Sequence, residues 1–411
     1  MRRLVAVATF LLMASASLAA QDSALQVPDL DKKPYSVGGN VEVRPLVLWI
    51  DRDAVVTRLR YFGLDVPRTS AQFNSRVQLD AEYVHRTVSL QTTTVFDMNR
   101  IDADWSSRVT SYEAYASWRP SPTFGLDVGK KTLKWGKGYA WNPVAFVDRP
   151  KNPDDPALAL EGFVVVSADV IKSFKGPLQT LSFTPVLIPV SGPINATYGE
   201  SGHLNHAGRL YLLLYDTDID VLYLTGGSRP GRTGVDVSRN IGSNVEVHAE
   251  VAYVRSTAPS WSHVVGVRIL ARTNTTLVVE TYRNGAGFTT EAMRDYFTLA
   301  DSALASGDAA RIQGVTRLAK DSFGGAQVMR DYLYVRASQP DLFGAQYLSG
   351  AVTGIYNRQD GSFSLTQETS YRMKTNLELR TQLGVIAGKR ETEFGDKLAD
   401  VRFEFRARYF F

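Results

Sequence analysis

Residues Asp400-Val401-Arg402-Phe403-Glu404-Phe405-Arg406-Ala407-Arg408-Tyr409-Phe410-Phe411 alternate strictly between two chemistries. Side chains in a strand repeat every two residues, so Val401, Phe403, Phe405, Ala407, Tyr409 and Phe411 share one face. Arg402, Glu404, Arg406, Arg408 and Phe410 share the other. The apolar face runs to the last residue of the sequence, which leaves no following segment to cover it. Hydrocarbon is the simplest cover, and that expectation governs the reading of the residues upstream.

At the other end, Arg2 and Arg3 precede an apolar run from Leu4 to Met13 and then small residues up to Ala20. This is the pattern of a secretory signal peptide over residues 1–20, cleaved after Ala19 or Ala20. Residues 21–36 are polar, carry Pro28 and Pro34, and read as a periplasmic lead-in to a barrel over 37–411. Beyond the leader no apolar run reaches the roughly 18 residues of a helical span. Closed barrels cross a bilayer with alternating strands of about ten residues, which average hydropathy does not reveal. The chain has no cysteine. That excludes a disulfide framework, cysteine-ligated zinc, a thiol nucleophile and a lipid attached through sulfur. The net charge of +4, or +2 without Arg2 and Arg3, is too even to suggest nucleic acid as a partner.

The sequence reads as strand after strand: 37–50, 72–86, 87–99, 108–119, 123–134, 160–173, 178–189, 206–216, 218–228, 232–240, 244–256, 260–271, 274–284, 326–338, 345–357, 361–373, 376–388 and 399–411. These make 18 strands, with 16 as the alternative. Every second connection is short, as at His85-Arg86-Thr87, Asp216-Thr217-Asp218 and Lys374-Thr375-Asn376. The long ones, 51–71, 135–159, 189–205 and 285–325, all fall on the other rim. Sorting of loops by length is the habit of outer-membrane barrels, whose termini lie on the short-turn side.

Alternation recurs along the chain. Val245, Val247, Ala249, Val251 and Tyr253 oppose Glu246, His248 and Glu250. Leu377, Leu379, Leu383 and Val385 oppose Glu378, Arg380 and Gln382. Val77, Leu79, Ala81 and Tyr83 oppose Arg76, Gln78, Asp80 and Glu82; Tyr112, Ala114, Ala116 and Trp118 oppose Ser111, Glu113 and Ser117. A charge facing lipid at mid-membrane costs roughly 2–4 kcal/mol, so the charged sets belong in the lumen. Two segments break the rule. Leu210, Leu212, Leu213 and Leu214 fill both faces, and Val164, Val165 and Val166 run consecutively. There the lumen is apolar, or something folds inside to cover it.

The densest cluster of unusual residues is Lys134-Trp135-Gly136-Lys137-Gly138-Tyr139-Ala140-Trp141-Asn142-Pro143, running on through Asp148-Arg149-Pro150-Lys151-Asn152-Pro153-Asp154-Asp155-Pro156. Glycines permit tight turns and prolines stiffen the rest. Two readings stand side by side. In one, the loop folds into the pore as a constriction, with Trp135, Tyr139 and Trp141 as packing surfaces and Lys137, Asp148, Arg149 and Lys151 as a polar fringe. In the other it is a structural plug. Gly-Lys-Gly lacks the spacing and following helix of a phosphate loop.

The stretch from Gly129-Lys130-Lys131 through Trp135-Gly136-Lys137-Gly138, Trp141-Asn142-Pro143 and the Pro/Asp run to Glu161-Gly162 resembles a motif of porin-like outer-membrane barrels of Gram-negative bacteria. Some of these are encoded beside inner-membrane exporters of the resistance-nodulation-division type. The chain departs from the pattern at Lys130, where many such sequences carry Arg. The resemblance implies an outer-membrane location and a transport role, with an exporter as a candidate partner; it supplies no substrate.

Three further features are candidates. The lumen charges Arg402, Glu404, Arg406, Arg408, Glu378, Arg380, Glu246, Glu250 and Arg268 either set ion selectivity through a transverse field or brace the wall as ion pairs. Loop 285–325 has helical spacing from Thr290 to Ser306 and again after Asp308, a good N-cap, to Ala319. This helical hairpin is either a lid or a surface excursion. Tyr409 and Phe411 suit the C-terminal aromatic signal favoured by barrel-assembly machinery. No cofactor or metal is expected, and no nucleophile elbow or zincin motif is present, so the expected class is not an enzyme. The expected fold is all-β, a transmembrane antiparallel β-barrel. Its expected function is passage of small solutes, passive or partner-assisted, in contact with outer-membrane lipid and lipopolysaccharide. The alternative is a plugged barrel acting as a surface anchor or an assembly or export accessory.

Overall fold

In the computed structural model, residues 33–411 are described, apart from 324 and 326. Strands are β1 (Tyr35–Ile50), β2 (Thr69–His85), β3 (Val88–Ile101), β4 (Asp104–Ser121), β5 (Phe124–Lys131), β6 (Phe163–Ser173), β7 (Leu178–Val190), β8 (His203–Leu214) and β9 (Thr217–Thr225). They continue with β10 (Gly231–Ile241), β11 (Val245–Arg255), β12 (Ser260–Leu270), β13 (Thr276–Arg283), β14 (Asp331–Gln339), β15 (Leu348–Asn357), β16 (Phe363–Lys374), β17 (Leu377–Ala387) and β18 (Ala399–Phe410). Each pairs antiparallel with the next, and β18 pairs with β1, so the 18-stranded sheet closes on itself. Closure leaves no edge strand, and every strand finds backbone partners on both sides. At the seam the register sets Val43 against Ala407 and Val41 against Tyr409, and Gly39 and Phe411 exchange a pair of backbone hydrogen bonds of 3.0 and 3.1 Å. The strand β1 begins at Tyr35, two residues inside the expected lead-in. The expected signal peptide lies outside the described residues.

The long connections, 51–68, 132–162, 191–202, 284–330 and 388–398, all leave one rim. The other rim has turns as tight as 86–87, 215–216 and 375–376, and both ends of the barrel sheet. The outward side chains are apolar and uncovered: Leu79, Leu90, Val109, Val128, Val251, Val265, Leu365, Phe403 and Tyr409 are all exposed. Single exposed apolar residues are ordinary, but a belt of them around a closed barrel suits hydrocarbon.

One alternation expectation fails. At β4 the ladder slips between Thr93 and Thr94, so that Glu113 opposes Thr93 while Ser111 opposes Thr94. This bulge leaves Tyr112 without a partner and turns it inward, where its hydroxyl accepts from Arg76 Nη2 at 3.2 Å. Two consecutive residues, Tyr112 and Glu113, therefore face the lumen. Re-aiming a side chain is the usual effect of a bulge.

Helices decorate the long-loop rim: α1 (Val55–Arg60), α2 (Thr290–Ser306) and α3 (Ala309–Leu318). Thr289 caps α2 by accepting from Ala292 N; Gly307, in the left-handed conformation at φ +64°, ends it. Asp308 caps α3 through Ala310 N and Arg311 N. The hairpin buries Met293, Tyr296, Phe297, Ala300, Ile312 and Val315 in one cluster with Val55 and Leu59 of α1, Trp141, Tyr334 and Phe394. Glu393, in the last long connection, is a polar pin inside that cluster. It accepts from Tyr332 Oη and Asn357 Nδ2, both at 2.7 Å, and from Val328 N at 2.8 Å. Burial pushes its carboxyl above the ordinary range, against those donors.

Candidate functional site: the lumen and its infolded loop

After Lys131 the chain turns into the barrel. Lys134 and Gly136 take positive φ, +58° and +94°. A Cβ on Gly136 would lie 2.6 Å from Asn142 Nδ2 and 2.8 Å from Glu250 Oε1, so both the conformation and the space demand glycine. The reason for this close approach is the carboxylate of Glu250 on β11. It accepts from the backbone N–H groups of Lys137 at 2.5 Å, Gly138 at 2.6 Å and Val144 at 3.3 Å, and from Asn142 Nδ2 at 3.0 Å. Glu280 on β13 accepts from Tyr139 N and from Ala140 N, the latter at 2.9 Å, and contacts His248 Nε2 at 2.8 Å. Both carboxylates are 0% exposed. Buried charge is expensive unless donors replace water, and here the donors are the amides of one loop.

Packing reinforces the polar fastening. Trp135, Val144, Phe146 and Val147 of the loop lie on Phe163, Val165, Val186, Ile188, Leu222 and Leu224 of the wall. Of the consecutive valines at 164–166, Val165 belongs to this patch and the loop covers it, whereas Leu210, Leu212, Leu213 and Leu214 lie outside the patch. Trp141 stacks on Tyr282 with centroids 4.9 Å apart and planes 13° from parallel. Lys137 Nζ sits 3.4 Å from Asp220 Oδ2 on β9.

The returning arm is tied to itself and to the far wall. Asp148 accepts from Leu133 N at 2.8 Å and Trp135 N at 3.0 Å. Burial pushes its carboxyl up, and these backbone donors pull the other way. Lys151 Nζ donates to Gly138 O at 2.7 Å, and burial pushes its ammonium down. Arg149 pairs with Glu161 at 3.1 Å and lies over the Phe163 ring at 4.6 Å. Asp155 reaches Arg380 on β17 at 3.6 Å and Arg406 on β18 at 3.5 Å. One loop, hung between β5 and β6, is thus held at β11–β13 and again at β17–β18.

On the remaining side it is tied at its two ends, Thr132 N donating to Glu113 Oε1 at 3.0 Å and Gly162 N to Tyr112 O at 2.9 Å. A cavity of about 500 Å³ separates the loop from β2–β4, with Gln78, Thr93, Tyr112 and Glu113 on the wall side and Lys134, Trp135 and Arg149 on the loop side. A second space, about 380 Å³, shares Thr93 and Glu113 and runs past Asp80 and Glu82 toward Ser36 and Gly38 at the start of β1.

No protein-family model matches the chain, and no curated protein matches it in sequence. Solved structures do match. The crystal structure of Pseudomonas aeruginosa OccK11 (OpdR) superposes with a TM-score of 0.52 at 11% identity, over 91% of this chain and 95% of that one. A triple mutant of the Rhodopseudomonas blastica porin aligns with a TM-score of 0.45 at 9% identity, over 92% of this chain and 100% of that one. The fold is that of OccK11.

The residues singled out from sequence fall into three groups. Trp135, Tyr139 and Trp141 sit with the loop's packed and hydrogen-bonded face, the two tryptophans being buried. Of the expected polar fringe, Lys137 binds the wall, and Asp148, Arg149 and Lys151 border the cavity while also bonding loop atoms or, for Arg149, Glu161. The charges of the last strands are mutually paired: Arg408 with Glu42 at 2.5 Å, Arg406 with Glu404 at 2.8 Å, Arg380 with Glu368, and Arg372 with Glu378 at 3.7 Å. Arg402 donates to Gln382 Oε1 at 3.2 Å. Arg268 and Glu246 pair at 3.6 Å, with Arg268 exposed. Glu42 and Asp220 were missed as partners. Each is an acidic residue in an otherwise apolar alternation, a signal that marks a lumen position without naming what it meets.

Proposed function

We propose that this protein is an outer-membrane channel for small polar solutes, with its passage between the infolded loop and β2–β4. The observation that carries the reading is the pair of cavities sharing Thr93 and Glu113, in a lumen whose remaining width is spanned by a fastened loop. The apolar belt, the loop-length sorting and the likeness of fold to OccK11 support it. In the same reading residues 1–20 direct export, Tyr409 and Phe411 are read by the barrel-assembly machinery, and the Trp-Gly-x-Gly to Asp-Asp-Pro stretch is the motif of the porin-like family. The test is conductance of the purified protein in planar bilayers. Discrete single-channel steps are expected. Silence, persisting after deletion of 136–156, would favour the plugged anchor instead.

A further inference from the structure

The outer surface of the barrel carries a hollow of its own. Where β10–β13 run side by side, a groove of about 480 Å³ opens on the face turned away from the lumen. On β10, Asp236 and Ser238 are buried on the lumen side, so Val237 and Arg239 point out. The register extends this into two outward rows across four strands. Val237, Ala249, Val265 and Thr281 form one; Arg239, Val247, Val267 and Val279 form the other. Ala249 has only a methyl between Val237 and Val265, which hollows its row. Arg239 is exposed, and among the described residues no carboxylate belongs to the lining. Asp216, beside the Thr217 that faces Arg239, is engaged by Gln179 Nε2 at 2.8 Å. Depth in the membrane gives the guanidinium its meaning. Arg239 lies two residues before the end of β10 at Ile241, on the short-turn rim. A lipid-facing charge is costly at mid-membrane and tolerated near the interface, where it meets headgroups. The row of Val237 and Ala249 lies farther from that rim, at the depth of acyl chains.

We propose that this groove holds one phospholipid of the periplasmic leaflet, with its phosphate on Arg239 and an acyl chain along Ala249, Val265 and Val267. The occupant has an anionic head without a cationic group, as phosphatidylglycerol does. Phosphatidylethanolamine would bring an ammonium to a lining that has no carboxylate to receive it. Lipopolysaccharide occupies the other leaflet, away from the rim where Arg239 lies. The site does not depend on whether the lumen conducts.

The test is native mass spectrometry of the purified barrel in detergent, given equal amounts of phosphatidylglycerol and phosphatidylethanolamine with the same acyl chains. The phosphatidylglycerol adduct should exceed the other about fivefold, the effect of one basic residue on an anionic lipid. Arg239→Gln should bring the two adducts level. Ala249→Phe, which fills the hollow, should reduce both. Each substitution lies on the lipid face, and heat-modified gel mobility reports whether the barrel is intact, so a variant that fails to fold still leaves the other as a test. Equal adducts on the parent protein, or a preference that survives Arg239→Gln in an intact barrel, would overturn the proposal. A dimer without bound lipid, dissolved by Ala249→Phe, would give the groove to a second copy of the chain and overturn it equally.

Discussion

Toward β11–β13 the infolded loop spends five backbone N–H groups and an asparagine amide on two buried glutamates and lays its aromatic residues on the wall. Toward β2–β4 the same loop faces a cavity of about 500 Å³ lined by polar and apolar side chains, with direct ties at its two ends, Thr132 N to Glu113 and Gly162 N to Tyr112 O. The difference teaches how a lumen 18 strands around can be narrowed without being sealed. Fastening is concentrated on one arc, where apolar strands needed a cover, and the opposite arc is left wet. A loop tied equally all round would be a plug, and an untied one would flicker.

Perturbations on the fastened arc should cost stability and those on the open arc should not. The largest effect is expected for Trp141→Ala, which removes the stack on Tyr282 and the contact with Tyr332 and Tyr334. A buried tryptophan truncated to alanine costs about 3–5 kcal/mol, to be seen as a lower urea midpoint in detergent. Glu250→Ala follows at about 3 kcal/mol, because it strands loop amides that have no other acceptor. It should also raise single-channel conductance, and Glu250→Gln should retain part of both properties. Asp155→Asn loosens the β17–β18 tie by about 1 kcal/mol, since Arg380 and Arg406 keep Glu368 and Glu404. Its sharper readout is the reversal potential, which should move toward anion preference as those arginines lose a counter-charge. Lys134→Ala, on the open arc, should stay within about 0.5 kcal/mol of the parent in urea.

Much of this was legible in the sequence. All 18 expected strands are present, and the hairpin α2–α3 starts at Thr290 and is capped at Asp308 as read. Period-two alternation and cap chemistry are local, so a sequence displays them. The consecutive valines at 164–166 even announced that something must cover the lumen wall. The failures are all of one kind. The bulge at Tyr112 depends on how two strands slip against each other, and alternation alone placed that ring in lipid. The expected polar fringe does line the cavity at Asp148, Arg149 and Lys151, and what the sequence did not show is that Asp148 and Lys151 also bond the loop to itself. Selectivity charge and bracing ion pair stand as alternatives for the arginines of the last strand because Glu42 lies more than 350 residues away in sequence, though it is a neighbour across the seam. Charge on a strand shows where a side chain points. Whether that charge is spent depends on partners that only closure of the barrel brings together.

The chain has no cysteine, so a single introduced thiol reports on one place. Thr93→Cys puts it in the cavity shared by both spaces, and Ala252→Cys puts it on β11 beneath the packed loop. Bilayer currents should be recorded while a charged methanethiosulfonate reagent is added. The account predicts that current through the Thr93→Cys channel falls irreversibly, while the Ala252→Cys channel is unaffected. Block at position 252, or an unaltered current at position 93, would place the passage elsewhere and contradict the account.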